Sequence, residues 1–326
     1  MKIAFIGVGG IAGNYRGSLK KLNMPISAIC DINEARASSI AKEEDARSYA
    51  DHKDMLCKES PEAVFICIPP GAHTTQVADS AESGAAVFVA KPIAVDMATA
   101  IRTRDIIERC KVINQVGYMA RYSDITSKAK ELIGDRKLGM GLGRFLCRMG
   151  ASHPWWGKFK MSGGQMLEQT THVFDLIRYF MGDVTKVQAF GLKGVSADGI
   201  ADFEECTVCN LHFSSGAVGN ITSTCVARIP EGFAMELIGD DIYLKFVMDT
   251  RLTGNIAGQG VDYTGQESGY YRQVEQFAQA VNSRDQSLIL SNYADAAKTL
   301  AVTITANRSL ISGQSETTMG LYDSFL

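Results

Sequence analysis

Nowhere in its 326 residues does the chain hold an unbroken apolar run approaching the ~18 that a membrane span needs. Charge of one sign is missing too. The 33 lysines and arginines meet 36 acids, leaving −3, so neither nucleic acid nor an anionic membrane is expected as a partner. The eight cysteines do not cluster, and Cys30, Cys67 and Cys225 sit inside apolar runs, as reduced, buried thiols of a cytoplasmic protein do. Cys206 and Cys209 have C-x-x-C spacing without a second ligand pair, and a strand would point them to opposite faces. No metal site is expected. The opening MKIAFIGVGGIAG faintly mimics a secretory signal, but its apolar run is short, glycine-broken and followed directly by a helix-like segment. What remains, at 46% hydrophobic and 21% charged, is an ordinary globular composition with length enough for two domains.

The first third alternates short apolar runs with helix-like segments. KIAFIG, ISAICD, EAVFICI, AAVFVA and KVINQVGY are strand-like, and prolines stop two of them, at Pro69-Pro70 and at Pro92. Strands apolar on both faces and separated by helices predict a doubly wound parallel sheet, with ligands at the carboxyl ends of the strands. After the first run comes Gly7-Val8-Gly9-Gly10-Ile11-Ala12, the G-x-G-x-x-A form of the dinucleotide fingerprint. Gly7 permits the turn, Gly9 lets the backbone approach a pyrophosphate, and Ala12 lets helix and strand pack closely. The second run ends at Asp31, near the spacing of the acid that holds the adenosine ribose hydroxyls. A helix cap is the alternative reading of that residue. A carboxylate there repels a 2′-phosphate, which favours NAD over NADP, whereas nearby Arg36 could accommodate one.

Two further strand ends carry candidates. IPPGAH brings Pro69 and His73 to the cofactor side, although a capping loop histidine reads equally well. VFVAKPIA delivers Lys91 at the close of an apolar run, where a surface lysine is the alternative to a functional one.

From about Arg121 the pattern changes to a helix followed by successive strand-like runs, including VTKVQAFGL, EECTVCNLHF, AVGNITSTCVA and GFAMELIG. Strands without intervening helices predict a C-terminal α+β domain on a large, mostly antiparallel sheet. The small, weakly polar residues of NITSTCVA suggest oligomerisation through that sheet, as a dimer or tetramer. Domains are therefore expected at 1–119 and 120–326. In SGGQMLEQTTHVFDLIRYF (162–180), Met166, Thr170, Val173, Ile177 and Phe180 form an apolar helical stripe. Glu168, His172, Asp175 and Tyr179 form a second stripe, either the wet side of a helix or the wall of a site. Trp155 and Trp156, in the loop before it, anchor a core or wall a sugar site.

Together GVGGIA, Asp31, ICIPPGAH, Lys91-Pro92, VGYMARY (116–122), a glycine pair before acid-x-x-x-His, and the closing YRQVEQFAQAV and SNYADAAKTLAVTITANRS resemble the glucose–fructose oxidoreductase/inositol dehydrogenase (Gfo/Idh/MocA) family. The resemblance spans nearly the whole chain. It implies an NAD(P)-dependent dehydrogenase of sugars or polyols, with Lys91 and His172 facing nicotinamide and substrate. Glu168 then stands at the acid position, and Arg121 with the tryptophans on the substrate side. The chain departs from the family pattern at Ala90, where an acid usually precedes the lysine, and at Glu168, where aspartate is usual. The expected chemistry is hydride transfer from a secondary alcohol, with His172 taking the hydroxyl proton and Lys91 stabilising alkoxide charge. A redox-neutral enzyme that oxidises its sugar transiently, or a non-catalytic NAD- or sugar-sensing regulator, would share the scaffold.

Overall fold

In a computed structural model, which describes residues 1–149, 154–196, 199, 201–228, 232–247 and 250–322, the chain forms two compact units. The first begins β1 (Ile3–Ile6), α1 (Gly10–Lys21), β2 (Ile26–Cys30), α2 (Glu34–Glu44), β3 (Arg47–Tyr49), α3 (His52–Glu59) and β4 (Ala63–Ile66). It continues with α4 (Gln76–Glu82), β5 (Ala86–Val89), α5 (Met97–Cys110) and β6 (Asn114–Val116). Every pairing is parallel, in the order β3-β2-β1-β4-β5-β6, so the winding reverses between β1 and β4. β1, β4 and β5 read IAFI, AVFI and AVFV with every side chain buried, which requires cover on both faces. Phe5, Phe65 and Phe88 stack in register across these strands at 4.9 and 4.8 Å between centroids. The strand the sequence did not suggest is β3, whose RSY carries no apolar signal.

The second unit contains α6 (Asp124–Ile133), β7 (Leu138–Leu146), α7 (Phe159–Ser162), α8 (Gln165–Glu168) and α9 (Thr171–Met181). Then come β8 (Val184–Leu192), β9 (Cys206–Phe213), β10 (Val218–Thr224), β11 (Gly232–Gly239), β12 (Ile242–Val247), β13 (Arg251–Ile256) and β14 (Gln259–Thr264). With β15 (Glu316–Thr317) they make a nine-stranded sheet in the order β14-β13-β12-β11-β7-β10-β9-β8-β15. Only β7 and β10 run parallel within it. Alternation governs here. Thr207, Cys209, Leu211 and Phe213 of β9 are buried, while Val208, Asn210 and His212 face outward. Cys206 and Cys209 accordingly lie on opposite faces, and burial pushes the Cys209 thiol up. On the covered side Gly141 and Gly143 of β7 leave no room for a Cβ against Ile177, Met181 and Val173, so α9 lies close on the strand.

Two expectations need correction. After its glycine pair the segment 162–180 is not one helix but two, α8 and α9. The chain turns at Gln169-Thr170, where the Thr170 N–H reaches back to the Gln165 carbonyl and His172 N–H to that of Gln169. Periodicity passes through this break unnoticed, because a tight turn shifts the phase by little. The contiguous division at 119/120 is also incomplete. Tyr270–Ala296, including most of α10 (Gly269–Ser283), belongs to the first unit, where Val274, Phe277 and Ala280 join the core of Ile3, Phe65 and Phe88. Phe277 meets Phe65 and Phe88 edge-on at 5.5 and 5.4 Å. The chain then leaves along α11 (Tyr293–Ser312), whose residues from Ala297 onward belong to the second unit.

Candidate active site

The cofactor cradle of the first unit is built at the carboxyl ends of β1, β2, β4 and β5. Gly7 has φ +83° and its N–H donates to the Cys30 carbonyl at 2.7 Å. A Cβ there would stand 2.5 Å from the Cys67 carbonyl oxygen, so only glycine fits. Gly9 caps α1, and nothing lies within 4 Å of where its Cβ would be. No side chain caps this helix and its first turn carries no acid, as suits a helix N-terminus that is to receive an anion. Ala12 is fully buried against the sheet. These features fit a dinucleotide pyrophosphate: the backbone is bare where it must be approached and crowded only behind.

Asp31 follows β2 and is buried. Its Oδ2 accepts from the Val8 N–H at 3.0 Å and Arg36 Nε at 3.0 Å, while Oδ1 accepts from the Asn33 N–H at 2.8 Å and an Arg36 terminal nitrogen at 2.8 Å. Burial alone would raise its pKa, but Arg36 and the two backbone donors hold it below the usual carboxylate range. Asn33, not Asp31, caps α2, accepting from the Arg36 N–H at 3.0 Å. The cap alternative for Asp31 therefore falls away. Beside it stands Ile32, at 95% the most exposed large apolar side chain of the described residues. Sequence reasoning passed over this residue; its signal was an isoleucine set between strand and cap, where polar turn residues are the rule.

Pro69 precedes a single 3₁₀ turn at Pro70–Ala72 that places His73 at its end. Both ring nitrogens of His73 are buried without a hydrogen bond of good geometry. Burial lowers the pKa to about 4 against a smaller opposing pull from the Ile68 backbone, so the imidazole is neutral near pH 7. Lys91, half-buried, lies two residues beyond β5.

In the second unit the polar stripe is not a wet face at all. Glu168, His172 and Asp175 are buried, as is every residue of α9 from Thr171 to Arg178. His172 packs its ring parallel to Phe145 of β7, with centroids 6.5 Å apart. Asp175 is a structural partner. Its Oδ2 and Oδ1 accept from Arg121 at 2.7 and 2.6 Å, and Oδ1 also accepts from the Thr299 hydroxyl at 2.9 Å. Thr299 in turn accepts from Arg178 at 2.9 Å, and Arg178 reaches Asp183 at 3.0 Å. Tyr179 lies under Arg121 and Lys130, at 4.9 and 3.7 Å from its ring centroid. Arg121, placed with the substrate from sequence, is thus engaged in a buried bidentate pair, which a 54-residue separation hid. Trp156 packs in a small core with Met149, Phe203 and Cys225, while Trp155 only flanks it. Residues 151–153 of the same loop lie outside the described residues.

Comparison with known proteins bears on both units. The family model for the Gfo/Idh/MocA oxidoreductases, NAD-binding Rossmann fold, matches residues 1–118, and the model for that family's C-terminal domain matches residues 126–245. The chain belongs to the Gfo/Idh/MocA oxidoreductase family. It is an enzyme with an NAD-binding first unit, which removes the regulator alternative. Myo-inositol 2-dehydrogenase of Thermotoga maritima is 28% identical over 228 residues, covering 69% of this chain and 68% of that protein. The scyllo-inositol 2-dehydrogenase (NAD(+)) of Bacillus subtilis is 24% identical, covering 96% and 95%. The WlbA dehydrogenase from Bordetella pertussis, solved with NADH and UDP-GlcNAcA, superposes with a TM-score of 0.82 at 20% identity, covering 97% and 98%. That last likeness is one of fold. Among the described residues no helix is long and apolar enough to cross a membrane.

Proposed function

We propose that this oxidoreductase interconverts a secondary alcohol and a ketone on a sugar, polyol or sugar derivative, with NAD as the hydride carrier. The observation that carries the reading is the burial of both Glu168 and His172 on the stripe that sequence singled out. Folds bury such groups at a cost, and a reaction site is a reason to bear it. The inositol dehydrogenases among its relatives support the substrate class. When bound, NAD supplies the two-electron acceptor. Gly7, Gly9, Gly10, Ile11 and Ala12 receive its pyrophosphate, Asp31 its adenosine ribose, and Pro69 and His73 line the cradle. Ile32 offers an apolar surface to the adenine.

In this reading His172 takes the proton as the hydroxyl is oxidised, because a neutral imidazole accepts one near working pH. Glu168 orients His172 or binds a neighbouring hydroxyl, and Lys91 stabilises negative charge developing on the reacting oxygen. Trp155 remains the candidate for a sugar wall. Trp156 is assigned to the core and Arg121 to positioning α9. A second copy of the chain is proposed to cover the outward face of the nine-stranded sheet. Val208, Val218, Phe190 and Leu192 stand 44–62% exposed there, beside Asn220 and Thr222. The eight free thiols fit a cytoplasmic setting.

The test is a panel of inositols, other polyols, sugars and nucleotide sugars incubated with NAD, following reduced nicotinamide and product together. NADH formed with one of them, and turnover cut ~10²–10⁴-fold in His172→Ala with NAD binding retained, is the expected result. Product without net NADH would instead favour the redox-neutral route. Undiminished turnover in His172→Ala would remove its assigned role.

A further inference from the structure

At one end of the nine-stranded sheet two thiols stand side by side. β7 and β10 run parallel with Leu146 opposite Thr224, so Cys147 and Cys225 are the next residues of the two chains. The Cys147 N–H donates to the Thr224 carbonyl at 2.9 Å, and the Met149 N–H to that of Cys225 at 2.7 Å. Both thiols lie on the covered face of the sheet. Cys225 alternates there with buried Ile221 and Ser223, and it joins Met149, Trp156 and Phe203 in a cluster against which Cys147 packs. Gln165 of α8 donates to the Cys147 sulfur at 3.4 Å. A third thiol, Cys206, stands opposite Thr224 but on the outward face, where its sulfur meets the Thr224 hydroxyl at 3.2 Å. Neighbouring strands are ~4.8 Å apart, and a disulfide spans about 4.4–6.8 Å between Cα atoms, so strand spacing alone permits a bond.

We propose that Cys147 and Cys225 form an oxidation site, which hydrogen peroxide converts to a disulfide joining the ends of β7 and β10. Peroxide reaches Cys147 first, because that residue is half-buried whereas Cys225 is 1% exposed. The Cys147 thiolate attacks the O–O bond, giving a sulfenic acid and hydroxide, which takes up the proton the thiol released. The Cys225 sulfur then attacks the sulfenic sulfur. The S–O bond breaks, and the hydroxide leaves as water with the Cys225 proton. Two thiols are thereby oxidised and one peroxide is reduced to two waters. Burial, with Cys147 and Glu205 nearby, pushes the Cys225 thiol up to about 12, so Cys225 stays protonated and does not itself attack peroxide. The link takes the Cys147 sulfur from Gln165, on the helix that carries Glu168, and alters the packing around Trp156.

The experiment exposes the reduced full-length protein to hydrogen peroxide, alkylates the remaining thiols and maps the peptides by mass spectrometry. Most of Cys147 should appear in a peptide linked to Cys225, and dithiothreitol should release it. Fluorescence of the two tryptophans, both packed at this cluster, should change with the link and return on reduction. In Cys225→Ala the link is lost, and dimedone should instead trap Cys147 as the sulfenic acid. Cys147→Ser should leave Cys225 reduced at the same dose, and it keeps the test open if the alanine variant folds poorly. Cys147 recovered reduced while exposed Cys57 is oxidised would overturn the inference. Linkage of Cys147 to Cys206, or oxidation of Cys147 without a link in the wild type, would do the same. No substrate enters these measurements, so their outcome is independent of the proposed reaction.

Discussion

Two aspartate–arginine pairs in this enzyme are alike in bonding and opposite in setting. Asp31–Arg36 and Asp175–Arg121 are both bidentate, with nitrogen–oxygen distances of 2.6–3.0 Å. In the first the guanidinium is nearly half exposed; in the second both side chains are almost wholly buried, at 3% and 1%. Removing two charges from water is offset only while every bond is made, so a pair buried on both sides fastens the structure. A pair with one partner in water can open at small cost, since exposed ion pairs contribute little. The same chemistry yields a fastener between Arg121 and α9 in one place, and a half-exposed pair that water can compete for in the other.

The strongest way to break this comparison is Arg121→Ala, which leaves the Asp175 carboxylate buried without the two guanidinium bonds. Urea denaturation should show a loss of ~3–5 kcal/mol, or no folded protein. Replacing both partners with apolar residues, Arg121→Met with Asp175→Leu, should lose less than the single change. A loss in Arg121→Ala no larger than that of a surface substitution would mean that the two pairs do not differ. Asp31→Asn comes next, at roughly 1–2 kcal/mol near pH 7, because the amide keeps an oxygen for only one of the two backbone donors and turns an N–H toward the other. Its pH dependence has a definite sign. The native pKa of Asp31 lies below its ordinary value of 3.8, so the unfolded chain takes up the proton first as pH falls. The stability difference between wild type and Asp31→Asn should therefore be full above about pH 4–5 and shrink as pH falls through the native value.

His73 sharpens the comparison from the other side, as a buried base with no acid to pair with. Its native pKa of about 4 lies below the ordinary 6.5, so the unfolded chain again binds the proton first. Wild-type stability should fall between pH 6.5 and pH 4, and His73→Gln should flatten that slope by an amount on the order of 1 kcal/mol. Urea midpoints at pH 7 and pH 5 decide it, equal slopes going against a buried neutral imidazole. The smallest effect belongs to Arg36→Gln, where unfolding should shift by no more than about 0.5 kcal/mol. A larger shift would make Arg36 a fastener like Arg121.

Legibility in the sequence followed how local the cause was. IAFI, AVFI and AVFV declare a sheet covered on both faces, and the glycine turn and Asp31 are fixed by their neighbours in sequence, so the parallel sheet and its cradle could be read directly. The second sheet was read through β8 to β11, but IYLKFV and the β13–β14 hairpin were passed over, although Ile242, Leu244 and Phe246 alternate plainly enough. The Arg121–Asp175 bond was out of reach, because nothing in either segment names a partner 54 residues away. The break at Gln169-Thr170 was hidden for a subtler reason. The polar stripe kept its spacing on both sides of it, so the grouping of Glu168 with His172 was drawn from a regular helix that does not exist. His73 could be read either way from sequence; the burial of its nitrogens is what separates it from an ordinary loop histidine.

The return of Tyr270–Ala296 to the first unit bears on how the protein is made. Although that unit starts at the first residue, it is not whole until α10 has left the ribosome, some 150 residues after β6 by the order of the elements. Until then the edges of Phe65 and Phe88 that Phe277 covers stay bare, and a nascent chain with bare aromatic surface is a substrate for holdase chaperones. A fragment ending near residue 119 would carry every element of the nucleotide fingerprint and still lack the helix that closes its own core.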